Sequence, residues 1–120
     1  MSEENKRSIG KQHEERAAEY LREKGYEILE MNFRCRLGEI DIIARDGDCL
    51  VFVEVKFRQS LTSGDPLSSV DIRKQRTISR VALYYLLQKG LGQDAKCRFD
   101  VVGITPDELS HIEQAFEFRK

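Results

Sequence analysis

In the stretch Val51-Phe52-Val53-Glu54-Val55-Lys56-Phe57, a glutamate and a lysine stand two apart inside an apolar run. In a strand, residues two apart share a face. Glu54 and Lys56 therefore lie with Leu50 and Phe52, and Val51, Val53, Val55 and Phe57 take the other side. A charge in such a setting needs a partner, a metal or a chemical role. Upstream, Glu39-Ile40-Asp41-Ile42-Ile43-Ala44-Arg45 breaks its own apolar pattern at Asp41. Carboxylates that converge repel each other, and a hard cation such as Mg²⁺ or Mn²⁺ offsets that, taking carboxylates, backbone carbonyls and water. Asp41, Glu54 and the Val55 carbonyl are its expected ligands. An ion so held polarises a phosphoryl oxygen and acidifies a bound water. Lys56 is placed to orient that water or to stabilise charge growing on a phosphate.

These groups meet only if their strands are paired in the right phase. Asp46-Gly47 between the two runs is a hairpin signal. A two-residue turn at Asp46-Gly47 sets Arg45 against Asp48, Asp41 against Phe52 and Glu39 against Glu54. A four-residue turn sets Asp41 directly against Glu54. A three-residue turn separates them unless a bulge restores the phase. Two of the three registers assemble an acidic cluster beside one lysine, with Glu39 as an accessory member.

The remaining elements follow from periodicity and punctuation. Ser8 is an expected cap for a helix running to about Lys24, stopped by Gly25, with Ala17, Ala18 and Leu21 as its apolar stripe. Glu14 lies on or beside that stripe, within reach of the cluster from a second element. Strands are expected at Tyr26–Phe33, Glu39–Arg45, Cys49–Phe57 and Lys96–Ile104, with a weaker edge strand at Ile112–Phe118. A second helix is expected from about Val70 to Lys89, after a loop at 59–69 that contains Gly64, Asp65 and Pro66. The order is α-β-β-β-α-β-(β), a mixed α/β domain with its sheet between helices.

With 120 residues the chain makes one domain, residues 1–120, with 1–7 read as a frayed tail. The net charge of -1 neither demands nor excludes nucleic acid. The sequence shows no apolar signal region and no run long enough to span a membrane, so a cytoplasmic setting is expected. Cys35, Cys49 and Cys97 form no zinc pattern and read as small hydrophobes in strands.

Asp41 followed thirteen residues later by Glu54-Val55-Lys56 resembles the D…ExK signature of the PD-(D/E)xK nuclease superfamily. More closely, the chain resembles the YraN family of small uncharacterised bacterial proteins. The shared pattern runs through Glu14-x-x-Ala17-x-x-Tyr20-Leu21, Gly25-Tyr26, Gly38-Glu39-Ile40-Asp41-Ile42-Ile43-Ala44 and Val51-Phe52-Val53-Glu54-Val55-Lys56-x-Arg58. It continues through Gly64-x-Pro66, Lys74, Ala82, Tyr85-Leu86 and Arg98-Phe99-Asp100-Val101-Val102. The resemblance implies a restriction-endonuclease-like αβββαβ core, similar to that of Holliday-junction resolvases. It implies that Glu14, Asp41 and Glu54 surround Mg²⁺ or Mn²⁺ while Lys56 aids the attacking water. His13 departs from the glycine common before this glutamate and is read as a surface histidine.

On the second helix Arg73, Arg76 and Arg80 recur at i, i+3 and i+7, with Lys74 beside them and Arg58 near the carboxylates. Such residues contact phosphates without reading sequence. The expected function is a metal-dependent endodeoxyribonuclease acting on DNA, with branched DNA as one substrate class. The alternative is a non-catalytic nucleic-acid-binding module or partner subunit that keeps the fold. A domain this small leaves room for a homodimer, with the edge strand near 112–118 as one place for a second chain to pair.

Overall fold

A computed structural model describes residues 3–59, 70–92 and 94–119, with side chains from residue 9 onward. The expected 59–69 loop, with Gly64, Asp65 and Pro66, falls outside the described residues from 60 to 69. Seven elements follow in the expected order: α1 (Glu3–Glu23), β1 (Glu27–Cys35), β2 (Gly38–Asp46), β3 (Cys49–Phe57), α2 (Ile72–Gln88), β4 (Cys97–Ile104) and β5 (Leu109–Phe116). The α1 helix starts at Glu3, so Ser8 is inside it rather than its cap. The preceding residues Glu3–Arg7 contain no glycine or proline and favour helix. Asp71 caps α2, its side chain accepting the Lys74 N–H at 2.8 Å.

The five strands form one sheet in sequence order. β1–β2, β2–β3 and β4–β5 are antiparallel, and β3–β4, joined through α2, is parallel. The strand alternation of β3 fixes the two layers. Val51 and Val53 pack with Ala17, Ala18 and Leu21 of α1. Leu50 and Phe52 pack with Ile78, Val81, Ala82 and Tyr85 of α2. No helix among the described residues is long and apolar enough to cross a membrane.

The hairpin register is Arg45 against Leu50 and Asp46 against Cys49. The turn is therefore Gly47-Asp48, one residue later than the Asp46-Gly47 turn weighed above. Gly47 supplies the reason: its φ of 62° suits the first loop position, where glycine carries no steric cost. Ile42 faces Val53, so the next step of the same register sets Asp41 against Glu54, the phase expected of the longer turn.

Three irregularities shape the sheet. β1 carries an extra residue between Ile28 and Glu30. β5 is shifted where Gln114 has φ 49°. The third lies beside the carboxylates. Met31 pairs with Ile42 and both pack toward α1, whereas Phe33 pairs with Ile40 and both pack toward α2. Strict alternation would put residues two apart on one face, so β1 and β2 change face together at Asn32 and Asp41. Asn32 has φ 54°, in the left-handed region.

Gly38, at the start of β2, abuts α2. A Cβ there would lie 2.7 Å from Thr77 Cγ2 and 3.3 Å from Val81 Cγ2, at a φ of 149°. Gly38→Ala is expected to lower stability by about 1–3 kcal/mol through overpacking, read as a lower urea midpoint.

Candidate metal and phosphate site

Asp41 is the junction of the site. Its Oδ2 accepts the Val55 N–H at 2.8 Å. A carboxylate thereby occupies a place on β3 that a backbone carbonyl would take in an unbroken ladder. Because β2 changes face at Asp41, that side chain meets groups from both layers. On the α1 side it joins Glu14 and Glu39, and one carboxylate oxygen from each of the three lies within 4.8 Å of the others. On the α2 side its charge acts on the Glu54 carboxyl.

Glu54 is 6% exposed, and its Oε2 has no hydrogen-bond partner among the described residues. Lys74 Nζ stands 3.4 Å from that oxygen. Burial first, then the hydrogen bond and charge of Asp41, push the Glu54 carboxyl up to about 8, against the pull of Lys74 and Lys56. Glu14 is pushed up to about 7 by burial and Asp41, while a hydrogen bond from Asn32 opposes the rise. Like charges gathered in a partly dry setting act this way. A cleft of about 420 Å³ opens over the cluster, lined by Lys11, Glu14, Asn32, Arg34, Glu39 and Asp41. Arg34 Nε lies 3.4 Å from Glu39 Oε1 at its rim.

Glu14, Asp41, Glu54 and the Val55 peptide thus come together, and Glu39 belongs to the tightest group of three. Lys56 follows Glu54 by two along β3, and its charge acts on that carboxyl. Lys74, read from sequence as a phosphate contact, instead sits on Glu54. Arg73, Arg76 and Arg80 are exposed along α2, and Arg58 is half-buried at the end of β3. The surface reading of His13 is corrected. Its ring stacks on Phe57 at 4.0 Å and 11°, and its Nε2 is shielded with no partner among the described residues. It stands next to Glu14 on α1 and contacts β3 through Phe57. Among the cysteines Cys49 is buried and Cys35 partly so, but Cys97 is exposed.

Sequence reasoning missed Asn32 and Lys11. An asparagine between apolar strand residues was the available signal for Asn32, since asparagine tolerates left-handed backbone.

A family model described as "Uncharacterised protein family UPF0102" matches residues 13–104, the span that carries all four carboxylates. A UPF0102 protein of Lachnoclostridium phytofermentans is 50% identical over 113 residues, covering 94% of this chain and 96% of its own. A UPF0102 protein of Syntrophus aciditrophicus is 52% identical over 112 residues, covering 90% and 87%. One from Caldicellulosiruptor saccharolyticus is 50% identical over 100 residues, covering 83% and 84%.

Proposed function

The chain belongs to the uncharacterised protein family UPF0102, a description that assigns no activity, and from the site itself we propose a metal-dependent endonuclease that hydrolyses phosphodiester bonds in DNA. The observation that carries the reading is Glu54. It is a nearly buried carboxylate whose Oε2 accepts no hydrogen bond among the described residues and meets only Lys74 Nζ at 3.4 Å, set beside Asp41, which in turn gathers Glu14 and Glu39. Four carboxylates drawn from three elements cost stability unless something cationic offsets them. All the donors are hard oxygens, which suits Mg²⁺ or Mn²⁺ rather than a thiolate- or imidazole-seeking ion. Asp41, Glu54, Glu14 and the Val55 carbonyl are the proposed ligands, with Glu39 accessory. Bound there, such an ion would polarise a phosphoryl oxygen and lower the pKa of a water.

The chain's own residues have distinct tasks in this reading. Lys56, on the face of β3 that carries Glu54, stabilises charge developing on the phosphate. Arg73, Arg76 and Arg80 form an exposed stripe on α2 that holds the backbone of a nucleic acid and sets its register without reading bases. Arg58 extends that surface toward the carboxylates.

At neutral pH with no cation present Glu54 is largely protonated and Glu14 about half protonated, because their carboxyls are held near 8 and 7. Cation binding must displace those protons. Mn²⁺ affinity is therefore expected to rise between pH 6 and pH 8, with proton release. Calorimetry at pH 7 in two buffers of different ionisation enthalpy reads that release directly. The same preparation is then offered linear, branched and single-stranded DNA, and RNA, with Mn²⁺ or Mg²⁺. Metal-dependent cuts in DNA support the proposal. Binding without cleavage of any substrate replaces it with a non-catalytic nucleic-acid-binding module.

A further inference from the structure

Beside the carboxylate cleft lies a second cavity, of about 540 Å³, that the proposed chemistry leaves unused. The two share Lys11 and Asn32 as a common wall. A strand whose phosphate lies over Asp41 therefore has its neighbouring nucleotide at the mouth of the second cavity. One side of that cavity is α1, where Lys11, Glu15, Ala18, Glu19 and Arg22 recur at i, i+4, i+7, i+8 and i+11 and form one face. The other side is β1, the outer strand of the sheet. There Met31 stands half-buried between the extra residue near Ile28–Glu30 and the left-handed Asn32.

The lining selects the kind of molecule that fits. Its two cations, Lys11 and Arg22, are matched by two carboxylates, Glu15 and Glu19, so it offers no net attraction to a second phosphate. Its floor is apolar. Ala18 is too small to fill the space, and the Met31 thioether makes favourable contact with an aromatic ring. Around that floor stand donors on Arg22 and Asn32 and acceptors on Glu15 and Glu19. A flat, neutral group with hydrogen-bonding edges meets all three conditions, and a nucleobase is such a group. The volume falls within the range of about 300–1,000 Å³ that small-ligand sites occupy.

We propose that this cavity receives an unpaired base, carried by the nucleotide next to the phosphate held at the carboxylates. The inference rests on the nuclease reading above and deepens it, naming the substrate class as DNA with an unpaired nucleotide beside the cut. A base in intact duplex must be unpaired and unstacked before it enters such a pocket, whereas a base in a bulge, a mismatch or a branch point enters most readily.

DNA binding in EDTA tests this without cleavage. The probes are a fully paired duplex, the same duplex with a one-base bulge, and one in which the bulged nucleotide is abasic. The bulged duplex should bind about 5- to 150-fold more tightly than the abasic one, the range for one stacked base. With 2-aminopurine as the bulged base, fluorescence should rise on binding as the base leaves the stack. Met31→Ala removes the floor, and Glu15→Ala with Glu19→Ala removes the acceptors from two exposed helix positions where folding is little affected. Each change should bring the ratio of bulged to abasic affinity toward one. Equal binding of bulged and abasic duplexes by the wild type overturns the base pocket alone and leaves the cavity to a backbone phosphate or a partner protein. A ratio unchanged in both folded variants overturns it as well. Failure to bind any of the duplexes overturns the DNA reading above together with the pocket.

Discussion

Asp41→Asn is expected to abolish metal-dependent cleavage, by about 10³-fold or more, while leaving the protein folded. The size follows from the several kcal/mol that a bound ion contributes to transition-state charge, at 1.36 kcal/mol per tenfold. Asp41 joins Glu14 and Glu39 on one side and acts on Glu54 on the other. Asparagine keeps an oxygen to accept the Val55 N–H, which Asp41 now holds at 2.8 Å. It removes the charge that pushes Glu14 and Glu54 up, so repulsion in the resting site falls. The variant should therefore bind Mn²⁺ poorly and yet unfold at an equal or higher urea concentration. Gel assays with supercoiled and branched DNA, run beside urea melts, read both halves. Cleavage retained by folded Asp41→Asn would sink the assignment of this residue.

The largest effect on stability is expected at Asp100, in the middle of β4. Asp100 is fully buried, and its carboxylate accepts from Arg98 Nε at 3.0 Å, His111 Nε2 at 2.7 Å and the Gln114 N–H at 3.1 Å. Arg98 also reaches Asp46 at 3.1 Å and the Tyr26 hydroxyl. One carboxylate thereby ties β4 to β5, to the β2–β3 turn and to the start of β1. Asp100→Ala would strip Arg98 and His111 of their buried acceptor, leaving Arg98 only the part-exposed Asp46 and Glu113, a loss of about 3–5 kcal/mol. Urea unfolding at pH 7 measures it, and a loss below about 1 kcal/mol would show that the network is dispensable.

The two clusters respond to pH with opposite signs. Burial alone would raise the Asp100 carboxyl, but hydrogen bonds from His111 and Arg98 outweigh that and hold it below its ordinary value. Its contribution to stability is present above that ordinary value and is lost as pH falls through the lowered one. Glu54 and Glu14 are raised, so their protonated forms favour the folded, metal-free state below about pH 4.5, and that favour drains away as pH climbs toward about 7 and 8.

Much of this was legible in the residues. Alternation in Val51–Phe57 assigned the two faces of β3, and the helix stripe of Ala17, Ala18 and Leu21 placed Glu14 near the carboxylates. What stayed hidden depends on backbone torsion or on distant partners. The change of face at Asp41 follows from the φ of Asn32, which the apolar pattern does not declare. The turn fell one residue late because glycine conformation outweighed the Asp-Gly pairing signal. Lys74 read as one of several surface cations because its approach to Glu54 depends on how α2 docks. Asp100, Arg98 and His111 gave no local signal, since their partners lie on other strands.

The irregular outer strands bear on how copies of this protein can meet. A sheet grows by adding a straight neighbour along an open border, and that is the usual route to amyloid-like stacking and domain exchange. Here β1 is interrupted by its extra residue near Leu29 and again at Asn32. β5 runs straight only from Leu109 to Glu113 before Gln114 bends it. The torsion that serves the carboxylates also spoils one border of the sheet as a template. Self-association of this fold would fall to side-chain surfaces such as Tyr84 and Leu87, exposed on α2, and Leu91 just beyond its end.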